Sequence, residues 1–373
     1  MTNTHTTLTS LFKNIANSIR NKKNSTEPIV ADMFPSEIEN LRTGFNYNNS
    51  KVTVISDSQF KNCEDLNSID CYNLASIGAN AFENCTNLKS VILYESVESV
   101  GENAFKGCPN LTIYCYMNSQ PSTWHENWNP DKCEVVWLGG AIETWNISAT
   151  DDDNVVAKLY NRVFNEGYYD LVISGRGNMM DNFSEELLGQ YAKKIAWIMI
   201  TDGVTNIGDL AFYDCQSLTS IALPNSLTSI GEDAFCDCSN LTSIDIPDSV
   251  TNIGIEAFWQ CTSLISISIP NGVTNIGYGT FAVCLRLKSV DIPDGVTSIS
   301  NRAFTLCSSL TSITIPNSVT NIGEYAFSDC KNLTSITYTG TIAQWNAITF
   351  GINWNYFTGN YAIHCTDGNI TKS

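Results

Sequence analysis

Fourteen cysteines and three histidines are the residues of this 373-residue chain best suited to nucleophilic attack, metal ligation or proton transfer. A thiolate attacks substrates and binds metals, and imidazole is the commonest general base near neutral pH. Spacing argues against those uses. Nine of the cysteines (Cys63, Cys85, Cys108, Cys215, Cys238, Cys261, Cys284, Cys307 and Cys330) hold one position of a repeated phrase, in two runs that step by 22 or 23 residues. The one close pair, Cys236 and Cys238, encloses a single residue rather than the two of a zinc-binding pair. His5 stands near the start of the chain, and His125 and His364 lie in tryptophan-containing stretches. Carboxylates such as Glu232, Asp245, Glu256 and Asp291 are scattered over variable positions. Gly175-Arg-Gly177 lacks the third glycine and following helix of a phosphate loop. Asp151 to Asp153 lack the alternating oxygen ligands and glycine of a calcium loop. The expectation is a protein with no catalytic residue, no metal and no cofactor.

The elements that position these cysteines are repeats. From Thr201 onward the phrase Val/Leu-Thr-x-Ile-Gly-x-x-Ala-Phe-x-x-Cys-x-x-Leu-x-Ser-Ile-x-Ile-Pro recurs. Phe212, Phe235, Phe258, Phe281, Phe304 and Phe327 step by 23 residues without a slip, as do the cysteines that follow them. An earlier run places Phe60, Phe82 and Phe105 before Cys63, Cys85 and Cys108. The chain thus holds two arrays, of three and six coils, with Ile195, Ile198 and Ile200 marking a lead-in coil before the second.

Each coil has a physical reading. In Leu241-Thr-Ser-Ile244-Asp-Ile246-Pro247, Leu241, Ile244 and Ile246 point inward and the rest point to solvent. That pattern predicts a short strand pairing with its counterparts one coil above and below, about 4.8 Å away. Pro247 has no amide donor and ends it. Ser249 to Gly254 is a second extended piece, with Gly254 allowing a tight bend. Ala257, Phe258 and Cys261 then line the inner side of a helical or 3₁₀ turn, with Phe258 at the centre. The Phe and Cys series are therefore read as structural ladders. A single coil cannot bury its own apolar side, so stability comes from stacking. Stacked cysteines bring Cα atoms within about 5 Å, but their Cβ vectors run parallel, so reduced thiols are expected.

The phrase at residues 249–270 and 318–338, Ser-Val-Thr-Asn-Ile-Gly, then Ala-Phe, Cys and a Leu-x-Ser-Ile-x-Ile-Pro strand, resembles the BspA-type leucine-rich repeat. The resemblance implies a repeat solenoid: right-handed leucine-rich-repeat arrays, mainly β with short helical or 3₁₀ turns. It also implies kinship with surface and secreted proteins that bind other macromolecules.

The flanking stretches differ from the coils. Residues 1–50 read as a small helical segment, with Leu8, Leu11, Phe12, Ile15 and Ile19 at helical spacing and Ser36 capping a second helix that runs to Leu41. Ile15-Ala-Asn-Ser-Ile-Arg20 and Pro28 to Asp32 are similar to N-terminal segments of phage and prophage tail proteins, which implies attachment or homo-oligomerisation through residues 1–50. Residues 51–140 form the first array, closed by a cap holding Trp124, Trp128 and Trp137. Residues 141–194 form a β-rich lead-in cap, in which Ser184 is the expected N-cap of a helix. Residues 195–340 form the second array, and residues 341–373 a C-terminal cap with Trp345 and Trp354. Caps are needed because a bare solenoid end exposes a strand edge and an apolar face.

Charge narrows the partners. Lys and Arg number 20 against 38 Asp and Glu, a net charge of −18, which excludes nucleic acid as the main partner because phosphate binding needs clustered cations. Residues 1–50 carry 5 basic and 4 acidic side chains, so the excess lies downstream. No stretch approaches the roughly 20 apolar residues of a membrane span, so no membrane insertion is expected. The N-terminal stretch lacks the apolar core and cleavage site of a secretory signal, which favours a cytoplasmic or virion-associated location, although the resembled family is usually at the cell surface.

The expected function is non-catalytic recognition or adhesion, with a protein or glycan surface bound on the exposed strand face. That face presents Thr242, Ser243 and Asp245; Ser266 and Ser268; Lys288, Ser289 and Asp291; and Thr311 and Thr314. Trp259 and Tyr278 on adjacent turns are the candidate aromatic anchors. Small hydroxyls make poor hot spots, so modest affinity aided by multivalency is expected. Two alternatives stay open: a structural or receptor-binding component of a phage particle attached through residues 1–50, and an intracellular interaction scaffold.

Overall fold

Alternation of inward apolar and outward polar residues gives each coil one dry side, and the coils stack on it. The computed structural model describes residues 45–48, 52–70, 74–162 and 165–371, and the helices expected within residues 1–44 lie outside them. Among the described residues the chain winds as a β-solenoid of about 13 turns with few helices.

In the first part, β1 (Phe45–Asn48), β3 (Leu66–Asp70), β5 (Ser90–Tyr94), β7 (Thr112–Tyr116) and β8 (Glu134–Trp137) pair in that order, all parallel. A second row holds β2 (Val54–Ile55), β4 (Ser76–Ile77) and β6 (Ser99–Val100). The sheet begins at Phe45, inside the stretch read as a helical segment, because β3 offers that stretch a free edge. A mixed sheet follows. Here β9 (Glu143–Asn146), β10 (Val156–Asn161) and β11 (Tyr169–Ser174) run antiparallel, while β13 (Ile195–Ile200) and β15 (Ser220–Ala222) extend it in parallel. Beside it run β12 (Gly177–Asn178), β14 (Val204–Ile207), β16 (Ser229–Ile230) and β17 (Asn252–Ile253). Towards the C terminus the second row resumes as β18 (Asn275–Ile276), β20 (Ser298–Ile299), β22 (Asn321–Ile322) and β24 (Thr349–Phe350). The main row resumes as β19 (Ser289–Asp291), β21 (Ser312–Ile315), β23 (Ser335–Tyr338) and β25 (Ala362–Cys365), with β26 (Gly368–Thr371) returning antiparallel. The one α-helix among the described residues, α1 (Ile342–Asn346), starts at a capping box of Thr341 and Gln344.

The third side of each coil is not a helix. Left-handed φ angles of 52° to 59° at Asp233, Glu256, Gly279, Arg302 and Tyr325, and of 58° to 62° at Asp237, Gln260, Val283, Leu306 and Asp329, break it into tight turns. The reason lies in the amides. Asp233, Phe235 and Asp237 donate to the carbonyls of Ile255, Ala257 and Trp259 in the next coil at 2.8–2.9 Å, whereas Cys236 and Cys238 close turns onto Asp233 and Phe235. A helix would turn all these donors inward on itself and leave the coil edges unpaired. Ser184 likewise differs from expectation. It caps nothing, because its hydroxyl is drawn inward to the Tyr213 carbonyl at 2.6 Å, and a wide π turn (Ser184–Leu188) runs into a 3₁₀ turn (Gly189–Lys194) instead.

The phenylalanines stand in two columns. Phe212 through Phe327 stack with ring centroids 5.3–5.6 Å apart, and Phe60, Phe82 and Phe105 stack at 5.3–5.5 Å. Edge-on rings end them: Trp128 on Phe105, Phe183 on Phe212 and Trp354 on Phe327. The columns belong to separate cores, one running from Ile55 to Trp128 and one from Ile147 to Ile363.

A third, small cluster joins these cores. Tyr94 and Tyr116, at the ends of β5 and β7, pack on Tyr160, Trp197 and Met199 from the outer face of the mixed sheet. Tyr116 Oη donates to Asp170 Oδ2 at 2.9 Å, and Arg162 pairs with Asp170 at 2.7 Å. Burial pushes the Asp170 carboxyl above its ordinary value, against the opposing pull of Arg162 and Tyr116. Glu95 and Lys158 close the rim of the junction. The strand face of the second array is therefore covered by the first array at its start.

Candidate binding face

Beyond that covered end, strand alternation sets outward residues in rows one coil apart. Ser266 bridges Ser289, which lies beside Ser312 and then Ser335. A second row runs Asp291, Thr314, Thr337 and His364. Thr242, Ser243, Asp245, Ser266, Ser268, Lys288, Ser289, Asp291 and Thr311 are exposed, and Thr314 is half-buried. His364 joins the face because β25 pairs with β23; read in sequence it stood in a terminal stretch with no partner. Its Nδ1 lies 3.0 Å from Asn369 Oδ1.

Not every outward hydroxyl is free to bind. Thr311 and Thr334 donate to the carbonyls of Lys288 and Thr311 at 3.1 Å, which ties each coil to the one before. Trp259 and Tyr278 are half-buried on the turn side of their coils, and the Trp259 ring lies against Gly279. Neither joins the strand rows.

One part of the face departs from the expected geometry. Residues 241–247, read as a strand paired above and below, pair with β15 through no backbone hydrogen bond among the described residues. On the other side the Ile265 amide donates to the Thr242 carbonyl at 3.0 Å, and the ladder then lapses. Both rows break here, between β15 and β19 and between β17 and β18. The coils stay joined elsewhere: Phe212, Phe235 and Phe258 remain stacked at 5.4 Å, and the turn-side amides still reach the next coil. The parting leaves a cleft of about 570 Å³, lined by Ala222, Asn225, Asp245, Pro247, Asp248 and Ser268 among others. Of the expected ligand-binding residues, Asp245 and Ser268 line it.

Two arrangements elsewhere were hidden in the sequence. Past the first cysteine of each run, the column thiols donate to the carbonyl of the phenylalanine one coil back, as Cys261 does to Phe235 at 3.3 Å and Cys307 to Phe281 at 3.1 Å. Burial raises these thiols well above their ordinary range, so they are donors and not nucleophiles. The described cysteines are all free. The carboxylates that looked scattered are gathered by stacking, because Asp233 and Glu256 sit one period apart. Burial, then Asp233 and Glu232, push the Glu256 carboxyl up to about 7, against the pull of Arg302.

Known proteins place this geometry. A BspA type leucine rich repeat region matches in six copies, over residues 9–123, 190–309 and 274–358. A leucine rich cell surface protein of Faecalibacterium prausnitzii is 25% identical over 80% of this chain and 86% of its own, with a TM-score of 0.30. The leucine rich repeat protein of T. pallidum is 29% identical over 49% of this chain and 78% of its own, with a TM-score of 0.39. A leucine-rich repeat protein of Eubacterium ventriosum is 19% identical over 89% of this chain and 87% of its own, with a TM-score of 0.42. No curated protein matches. No described helix is long and apolar enough to cross a membrane. With the repeat matched over more than half of its residues, the chain belongs to the BspA-type leucine-rich-repeat family.

Proposed function

We propose that this protein is a non-catalytic recognition or adhesion protein that holds a protein or glycan surface against its outward strand rows. The observation that carries the reading is the pair of polar rows from Ser266 to Ser335 and from Asp291 to His364, each with one residue per coil. Such a surface offers many weak contacts in register, which suits a repetitive or extended ligand more than a small molecule. Membership of a family of interaction and adhesion proteins, usually surface-associated, supports it. In this reading the protein works at a cell surface, and the cytoplasmic or virion location expected from the N-terminal stretch finds no support.

The test is binding of the immobilised full chain to a glycan array and to a panel of extracellular proteins. Asp291→Arg with Thr314→Arg places two long cations on the rows without touching the core. Binding weakened roughly tenfold or more by that pair supports the reading. Ligands held equally well by both forms overturn it.

A further inference from the structure

We infer that the cleft between β15 and residues 243–247 is a docking site for a short extended peptide carrying a lysine or arginine side chain. The inference deepens the recognition role above and rests on it. Four observations meet at this place.

The first is the backbone. Strands pair with a neighbouring coil up to β15 and again from β19 onward, but Ser243–Pro247 are unbonded to Ser220–Ala222 on one side and, past the bond from Ile265 to Thr242, to residues 266–269 on the other. Free strand edges are what an added strand pairs with. Pro224 and Pro247 close both edges, so the segment paired is only a few residues long. The second is that the opening leaves the interior intact. Ile221 and Ile246 are 9% and 8% exposed, against 0% for Ile315 and Ile336 in paired coils, and the Phe column runs through unbroken. The coils are parted along the strand row and, one coil on, between β17 and β18.

The third is size: about 570 Å³ lies within the roughly 300–1,000 Å³ of ligand pockets. The fourth is charge. Asp245 and Asp248 line the cleft together with Asn225, Ser249 and Ser268, and no cationic side chain does. A cationic side chain on the incoming segment complements that lining. No aromatic ring lines the cleft either, so the stacking platform that sugars use is missing and a peptide is favoured over a glycan.

The probes are the blocked pentapeptide Thr-Val-Lys-Val-Thr, its Glu-centred counterpart and cellotetraose, each titrated into isotope-labelled full chain and followed by amide shifts. The lysine peptide is expected to move the amides of residues 220–223 and 243–246 and to bind roughly tenfold tighter than the glutamate peptide. Asp245→Asn with Asp248→Asn abolishes that preference. Equal binding of both peptides, shifts confined to other faces, or shifts here from cellotetraose alone overturn the inference. The two proposals fail separately. Macromolecule binding that is lost in the Asp291→Arg and Thr314→Arg pair but unaffected by the Asp245→Asn and Asp248→Asn pair, with no peptide seated, sinks the cleft and keeps the broader role. A seated lysine peptide with no macromolecule bound on the rows does the reverse.

Discussion

The Cys position of the repeat does two things that alanine or valine would do only in part. It fills a small apolar space, and its thiol supplies a second hydrogen bond to a phenylalanine carbonyl already accepting a turn amide, as at Phe235. The inward location was legible from the period alone. The donor role was not, because it depends on a carbonyl 26 residues back. Glu256 tests the stacking of carboxylates at the same scale. Its folded-state value near 7 stands above the ordinary 4.5, so the stability it confers is full below about pH 4.5 and is lost as pH rises through 7. Glu256→Gln is therefore expected to raise the melting temperature at pH 8 relative to wild type and to change it little at pH 4. Equal shifts at both pH values would show that burial and the neighbouring carboxylates do not hold the Glu256 carboxyl above its ordinary value.

At the level of strand and turn, the repeated phrase specified the coil and left parts of its geometry open. Gly254 was read as a bend, yet a Cβ there would meet the Gly231 carbon at 2.4 Å and the Glu232 nitrogen at 2.5 Å. Sequence marks the need for glycine, but close approach and a left-handed φ leave the same mark. Gly254→Ala is expected to cost about 1–3 kcal/mol, read from the urea midpoint, because backbone must shift to admit the methyl. Ser300, which takes the same place in its coil and already carries a Cβ, is expected to tolerate alanine within about 0.5 kcal/mol. Equal losses at both positions would refute the close-approach account. The cleft was illegible for another reason. Leu241-Thr-Ser-Ile-Asp-Ile-Pro247 forms no strand and leaves β15 unbonded, while Leu310-Thr-Ser-Ile-Thr-Ile-Pro316, differing at one residue, supplies β21. Pairing on this face is settled by how successive coils seat, not by local composition.

For the molecule as a whole, the solenoid character was fully legible and the junction was not. Tyr94 and Tyr116 hold one repeat position of the first array, but Tyr160 and Trp197 share no period with them, and only folding brings the four together. Because the two larger cores are otherwise separate, this small cluster is expected to couple their unfolding. Tyr116→Ala with Trp197→Ala is expected to split a single calorimetric transition into two; a single sharp transition in the variant would place the coupling elsewhere. The phenylalanine column has a consequence of another kind. Phe258, Phe281 and Phe304 present near-identical faces to their neighbours, so excising one whole turn leaves flush surfaces on either side of the cut. The closing rings of Phe183 and Trp354 are indifferent to how many turns lie between them. Unequal recombination among such similar gene segments would then lengthen or shorten the molecule's reach in increments of about 5 Å, the thickness of one strand layer, without passing through an unfolded intermediate form.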